Sequence, residues 1–341
     1  MNPLRVLMLL AALAVLVPAR AAIQGSVFNG SSGRPQAGVE VTLVKLEEGM
    51  TPAGSTKTDA GGKFHFSQNP TGTGGRPVPL LLRADFEGVT YNQMIQPEAM
   101  AREIRLMVYR SVPASGASGA PQQHVLLFEP SGRELLVNES FLYQNQAQPP
   151  VTYVSDQGTL RFYLPPGAKG TVQVNTVGPG GMPVRGTAEK TSEPDIYKVI
   201  FPIKPGESRI DLTYSAPFQS PLQFDVRTLY PGVATRLAAP AEVSLSGEGM
   251  QPLGEEPQSK AAIFGVPERE SYRVTIAGEG RLARGGGQQE ISVVPAGAHE
   301  KRWLIFAFAA GILGLGFYGL YTASGAGAAE KPARAPKKRG K

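Results

Sequence analysis

Apolar and polar residues alternate with a period of two along most of the chain. Val39, Val41 and Leu43 are separated by Glu40 and Thr42, and Phe64 and Phe66 flank His65. The same alternation runs through Ile104, Leu106 and Val108, through Leu160 and Phe162, and through Val172 and Val174. It returns at Ile210 and Leu212, at Leu222, Phe224 and Val226, at Val243 and Leu245, and at Tyr272, Val274 and Ile276. Each stretch predicts a half-buried strand with one face in a core and the other in water. No long stretch before residue 303 has the 3.6-residue period of an amphipathic helix. The 41 Gly and 30 Pro cut the runs short, so the pattern predicts an all-β chain of tandem β-sandwich modules.

Two segments depart from alternation. Leu7 to Val17 is an apolar run of eleven residues, preceded by Arg5 and followed by Pro18 and the small-residue frame Ala19-Arg20-Ala21. This predicts a secretory signal peptide over residues 1–21, cleaved after Ala21. Trp303 to Tyr321 is nineteen residues without a charge. As a helix it would reach about 30 Å, the thickness of a bilayer's hydrocarbon core. Trp303, Tyr318 and Tyr321 are expected at the membrane interfaces. Ala307 and Gly311, and Ala310 and Gly314, have the small-xxx-small spacing that permits close helix packing. The tail, residues 322–341, holds Lys331, Arg334, Lys337, Lys338, Arg339 and Lys341 against Glu330 alone, which marks it as cytoplasmic. The expected topology is a single-pass protein of the cell membrane. Its β modules are extracytoplasmic, periplasmic in a Gram-negative envelope.

Charge follows this topology. The formal net charge is +6, and the tail's six basic residues against one acid account for nearly all of it. The exported part is close to neutral and has no basic stripe, which argues against nucleic acid. The chain has no cysteine, so disulfides, thiolate metal sites and thiol nucleophiles are excluded. The small, polar stretch 111–121 reads as a linker. It separates a first module, 23–110, from a second, 122–217. Residues 218–294 form a third module or a continuation of the second.

The first module carries a resemblance. Ile23 to Val27 opens a strand. Val39 to Leu43 follows a Gly/Ser-rich turn, then Asp59, Gly61 and Gly62 lead into Phe64 and Phe66, with later strands at Leu81 to Ala84 and Gly88 to Tyr91. Asp59 and the glycines predict a tight turn where positive φ is cheap. This order resembles the carboxypeptidase regulatory-like domain, a transthyretin-like (prealbumin-like) sandwich. The resemblance implies that fold for residues 23–110 and an accessory or binding role without catalysis.

Candidate chemistry is sparse. His65 should face water, His124 begins a strand and His299 lies beside the membrane segment. The three are far apart in sequence, with no carboxylate at metal spacing. No nucleophile elbow or phosphate loop appears, and the glycines at 178–181 and 285–287 read as turns. No catalytic residue, metal ligand or cofactor is expected. Tyr91, Tyr143, Tyr153, Tyr163 and Tyr197 keep sugar binding open, although strand tyrosines are more often core or sheet-surface residues. The expected function is a non-enzymatic binding or scaffold module at the outer face of the cytoplasmic membrane, with a protein partner. The alternatives are a carbohydrate or cell-wall binding protein, and a hydrolase whose site is assembled from residues distant in sequence.

Overall fold

The computed structural model describes residues 23–282, apart from 48, 68–70, 73–74, 97–102, 117–118, 182 and the side chains of 169–171. These residues form strands, turns and loops, arranged in several sheets as the alternation predicts. The segment 303–321, with Trp303, Ala307, Ala310, Gly311, Gly314, Tyr318 and Tyr321, lies outside the described residues, as do the signal segment, the tail and His299. Among the described residues no helix is long and apolar enough to cross a membrane.

The first eight strands are β1 (Ile23–Asn29), β2 (Arg34–Pro35), β3 (Glu40–Leu46), β4 (Met50–Lys57), β5 (Lys63–Phe66), β6 (Leu80–Phe86), β7 (Val89–Ile95) and β8 (Ile104–Val108). They make two four-stranded sheets. In one, β1 pairs β2 and β5 antiparallel and β8 parallel. In the other the order is β4-β3-β6-β7. Alternate side chains of both enter one core that includes Val27, Val41, Leu43, Phe64, Leu82 and Leu106. Phe64 and Phe66 meet edge to face at 6.0 Å, and His65 between them is exposed, as the alternation requires. The Asp59 turn closes as expected. The Asp59 carboxylate accepts the N–H groups of Gly61 and Lys63 at 2.9 and 2.8 Å. Gly62 sits at φ +74°, and a Cβ there would lie 2.8 Å from the Val27 carbonyl oxygen.

The rest of the chain is organised by one large sheet. Its strands are β9 (Ser111–Pro113), β10 (Gln123–Ser131), β11 (Glu134–Asn145), β12 (Thr152–Val154), β13 (Leu160–Tyr163), β14 (Lys169–Val177), β15 (Val184–Gly186), β16 (Ala188–Lys190), β17 (Ile196–Val199) and β18 (Gly206–Pro217). They continue with β19 (Leu222–Arg227), β20 (Ala234–Ala239), β21 (Ser244–Ser246), β22 (Gln251–Glu255), β23 (Ala262–Gly265) and β24 (Ser271–Ala277). Eight of them hydrogen-bond in the order β15-β14-β18-β11-β10-β20-β23-β22. Strands from both sides of residue 218 therefore share one sheet. At about 3.4 Å per residue, the twelve-residue partners β11 and β18 run about 40 Å, twice an ordinary strand. That length lets one face carry two cores. Phe141, Tyr143, Ile210 and Leu212 pack with β13 and β17 of the three-stranded sheet β13-β17-β16. Leu135, Val137, Tyr214 and Ala216 pack with β19, β21 and β24 of the sheet β19-β24-β21.

The stretch read as a linker begins as structure. Ser111–Pro113 forms β9 and pairs parallel with β12, which takes up its backbone hydrogen bonds. Beside it, the buried Tyr91 hydroxyl donates to the Tyr109 carbonyl at 2.9 Å, so the hydrogen bond shared with Thr152 Oγ1 at 2.8 Å is donated by Thr152. Thr152 is wholly buried. Ser31 Oγ donates to the Pro150 carbonyl and accepts the Arg110 N–H at 2.9 Å. Lys204 Nζ donates to the Thr90 carbonyl at 2.6 Å and lies 4.9 Å from the centre of the Tyr91 ring. Burial holds the Lys204 ammonium below its ordinary range. The first sandwich is thus tied to the segments around β12 and β18 by paired backbone and buried hydroxyls.

Candidate functional site

Midway along the inner face of the eight-stranded sheet, between its two apolar cores, lies a row of buried polar side chains. Successive inward residues of β11 are Leu135, Val137, Glu139, Phe141 and Tyr143, and all are buried. Glu139 therefore stands where one core ends and the other begins. Strand pairing brings its neighbours to it. On β10 the inward series starts with His124, which faces Phe141 across the hairpin. On β20 it starts with Thr235, opposite His124. On β18 Tyr214 lies two residues beyond Leu212, the residue opposite Glu139, and so on the same face.

His124, Glu139 and Thr235 are each about 95% buried. The Tyr214 hydroxyl donates to Glu139 Oε1 at 2.9 Å. His124 Nε2 lies 3.9 Å from Glu139 Oε2 and has no hydrogen-bond partner, while Nδ1 is 3.4 Å from Thr235 Oγ1. The imidazole is stacked on Phe141, with centres 4.2 Å apart. Burial, and then the Glu139 carboxylate, push the Tyr214 phenol well above its ordinary range, and the same two causes raise Tyr272. Tyr214 therefore stays protonated and remains the donor that stabilises the buried carboxylate.

A small pocket opens toward this row, roofed by β13 and the connection from β19 to β20. Its free space is about 10 Å³, the room of one water molecule. Arg161 and Arg227 stand in its walls. Arg161 pairs with Glu193 at 2.5 Å, and the Arg227 guanidinium rests 4.7 Å from the centre of the Tyr163 ring. Tyr230 fills much of the roof and accepts the Arg161 backbone N–H at 2.7 Å. Thr235, His124 and Glu139 stand in the order of nucleophile, base and orienting acid. Their separations exceed the roughly 2.6–3.2 Å of a hydrogen-bonded relay. As built, the row satisfies a buried carboxylate between two cores.

A second recess lies at the far end of β11. It has about 180 Å³ of free space, lined by Gln122, Gln144, Asn145, Gln146, Tyr143 and Tyr153 with Gly119, Ala120 and Ile203. Every lining side chain is uncharged. Asn145 Nδ2 fixes the floor by donating to the carbonyls of Val151 and Ile203 at 2.7 and 2.9 Å. Gln122 accepts the Gln144 N–H, and Gln144 Nε2 donates to Glu207 at 2.8 Å.

Of the sequence candidates, Tyr91 and Tyr143 are core residues, while Tyr153, Tyr163 and Tyr197 are half-buried on different strands. Tyr153 and Tyr143 alone of these meet in the amide-lined recess. Among the described residues no three of His, Asp and Glu gather as a metal site. Glu139 is not among the sequence candidates, although its place in the alternation puts a carboxylate on the apolar face of β11. The pairing of His124 with Glu139 depends on the hairpin register, which no local pattern specifies. The glycines at 178–181 form a turn as read, with the Gly181 N–H donating to the Gly178 carbonyl.

No family model and no curated protein matches this chain. Among solved structures it is similar to the M1 zinc metallopeptidase from Deinococcus radiodurans, at 14% identity and a TM-score of 0.26, over 46% of this chain and 42% of that one. A mutant of that enzyme bound to a Tyr-Ser-Ala substrate matches at the same values, and a two-domain M1 zinc metallopeptidase mutant bound to L-arginine matches at a TM-score of 0.25. The chain spans less than half the length of these enzymes. A likeness at this level transfers neither fold nor activity. The class defined by the described residues is an all-β protein of several sandwich-like packed sheets.

Proposed function

We propose that the chain is a non-enzymatic binding or scaffold protein, exported and held at the outer face of the cytoplasmic membrane by residues 303–321. The observation that carries this reading is the junction between the first sandwich and the rest. A scaffold must fix the orientation of what it presents, and here β9–β12 pairing and the Thr152–Tyr91–Tyr109 hydrogen-bond chain remove the freedom of a tether. Two four-stranded sheets closing over one core in residues 23–108 support the carboxypeptidase regulatory-like reading of that stretch. That family's usual accessory role agrees with the proposal. A second reading, carbohydrate binding, is favoured by the uncharged, amide-lined recess.

The test is site-specific photo-crosslinking of the intact protein in its own membranes, with probes at Thr51 and Leu253 on the exposed strands β4 and β22. Discrete cross-linked protein species are expected from at least one probe. Their absence from both probe positions would remove the partner-binding reading.

A further inference from the structure

We infer that the recess at the end of β11 is a binding site for a neutral, hydroxyl-rich ligand the size of one sugar ring. This names a ligand class for the binding role proposed above and rests on that reading. The argument starts from donors and acceptors. A sugar hydroxyl both donates and accepts, and the groups that match it without a net charge are amides and phenols. The recess is lined by four amides and by Tyr153 and Tyr143, although the Tyr143 hydroxyl is donated to the Thr159 carbonyl and the Gln122 amide is bonded to the Gln144 N–H and the Ala120 carbonyl. Several are already engaged, which orders the site. Asn145 is held by two carbonyls and by the Ala147 N–H, and Gln144 is oriented through Nε2 by Glu207. Among the described residues Gln144 Oε1, the Gln146 amide and the Tyr153 hydroxyl have no hydrogen-bond partner, and all three residues line the recess.

Size and charge narrow the ligand. The volume of about 180 Å³ is below the roughly 300–1,000 Å³ of pockets that enclose drug-sized molecules, and suits one small ring. Glu207 is bonded to the lining residue Gln144, so its negative charge disfavours a carboxylate on the ligand. The Tyr153 ring, half-buried against the neighbouring core, offers an apolar surface for the C–H face of a sugar. A neutral ring fits all three features.

The experiment uses the full chain in nanodiscs, free of sugar-headed detergent. Glucose, galactose, N-acetylglucosamine and glucuronate are each titrated to saturation by calorimetry or ligand-detected NMR. At least one neutral sugar should bind saturably, and glucuronate at least about fivefold more weakly. Gln146→Ala and Tyr153→Phe should each weaken the neutral sugar by about fivefold, the value of one hydrogen bond. Gln223→Ala, on the exposed face of β19, should bind as the parent does. No saturable binding of any neutral sugar would overturn the assignment. So would unchanged affinity in both recess variants, or equal binding of glucuronate. If cross-linked partners persisted in that case, the binding or scaffold reading would stand and only the sugar site would fall.

Discussion

Tyr91→Phe is the sharpest probe of the junction, because it removes one oxygen and no packing volume. In the parent that oxygen accepts from Thr152 Oγ1 and donates to the Tyr109 carbonyl. After the change, the wholly buried Thr152 hydroxyl has lost its acceptor. A buried polar group left without a partner costs about 1–3 kcal/mol. The Tyr109 carbonyl is only partly buried, so water replaces part of its bond and the further loss is about 0.5–1 kcal/mol. The expected destabilisation is about 1.5–4 kcal/mol. Thr152→Val in the Tyr91→Phe background removes the orphaned hydroxyl, and a pair replaced by apolar groups of the same shape is nearly neutral. The double variant should therefore be less damaged than the sum of the singles, by about 1 kcal/mol or more. Urea unfolding followed by far-UV circular dichroism measures this. The single Trp lies at 303, outside the described residues, so circular dichroism, which reports the strands themselves, is the readout. A Tyr91→Phe midpoint equal to the parent's, or strictly additive costs, would refute the hydrogen-bond chain as the fastening of the junction.

Other outcomes follow from the same structure. Gly62→Ala should cost more than Gly33→Ala: both have positive φ, but only at Gly62 would the new Cβ meet backbone, at 2.8 Å, and equal midpoints would contradict the close approach. Tyr214→Phe leaves Glu139 Oε1 without its donor and should cost about 1.5–3 kcal/mol, and Glu139→Leu in that background should recover part of it; a Tyr214→Phe protein as stable as the parent would remove the bond from the account. Burial raises the phenols of Tyr143, Tyr214, Tyr230 and Tyr272, so an unfolded chain releases these protons near pH 10 while the folded chain keeps them. Stability should be full below about pH 10 and fall above it, with Tyr214→Phe reducing the slope of urea midpoint against pH by about one proton; an unchanged slope would place Tyr214 outside the buried set.

Alternation was enough to read the β class and the inward side of many strands. Val41 and Leu43, Phe64 and Phe66, Ile210 and Leu212, and Val274 and Ile276 are all buried, because a pleated strand turns every second side chain to the same face. The Asp59 turn was legible for a similar reason, since its hydrogen bonds span only four residues. Glu139 was also within reach, as a carboxylate at an apolar position of one strand. Only the tertiary structure decided what pairs with what. His124 meets Glu139 through the register of β10 on β11, and Thr235 joins them through a parallel pairing across more than a hundred residues. The same holds for the recess, where Gln122, Gln144 and Tyr153 come from three separate segments. Composition made residues 111–121 look like a free tether, yet β9 is ordered by β12, a partner supplied from some forty residues later. The physical reason is common to these cases. A strand's own sequence sets which face is apolar, whereas its hydrogen-bonding edges are nearly identical from strand to strand, so the choice of neighbour is left to the packing of the whole.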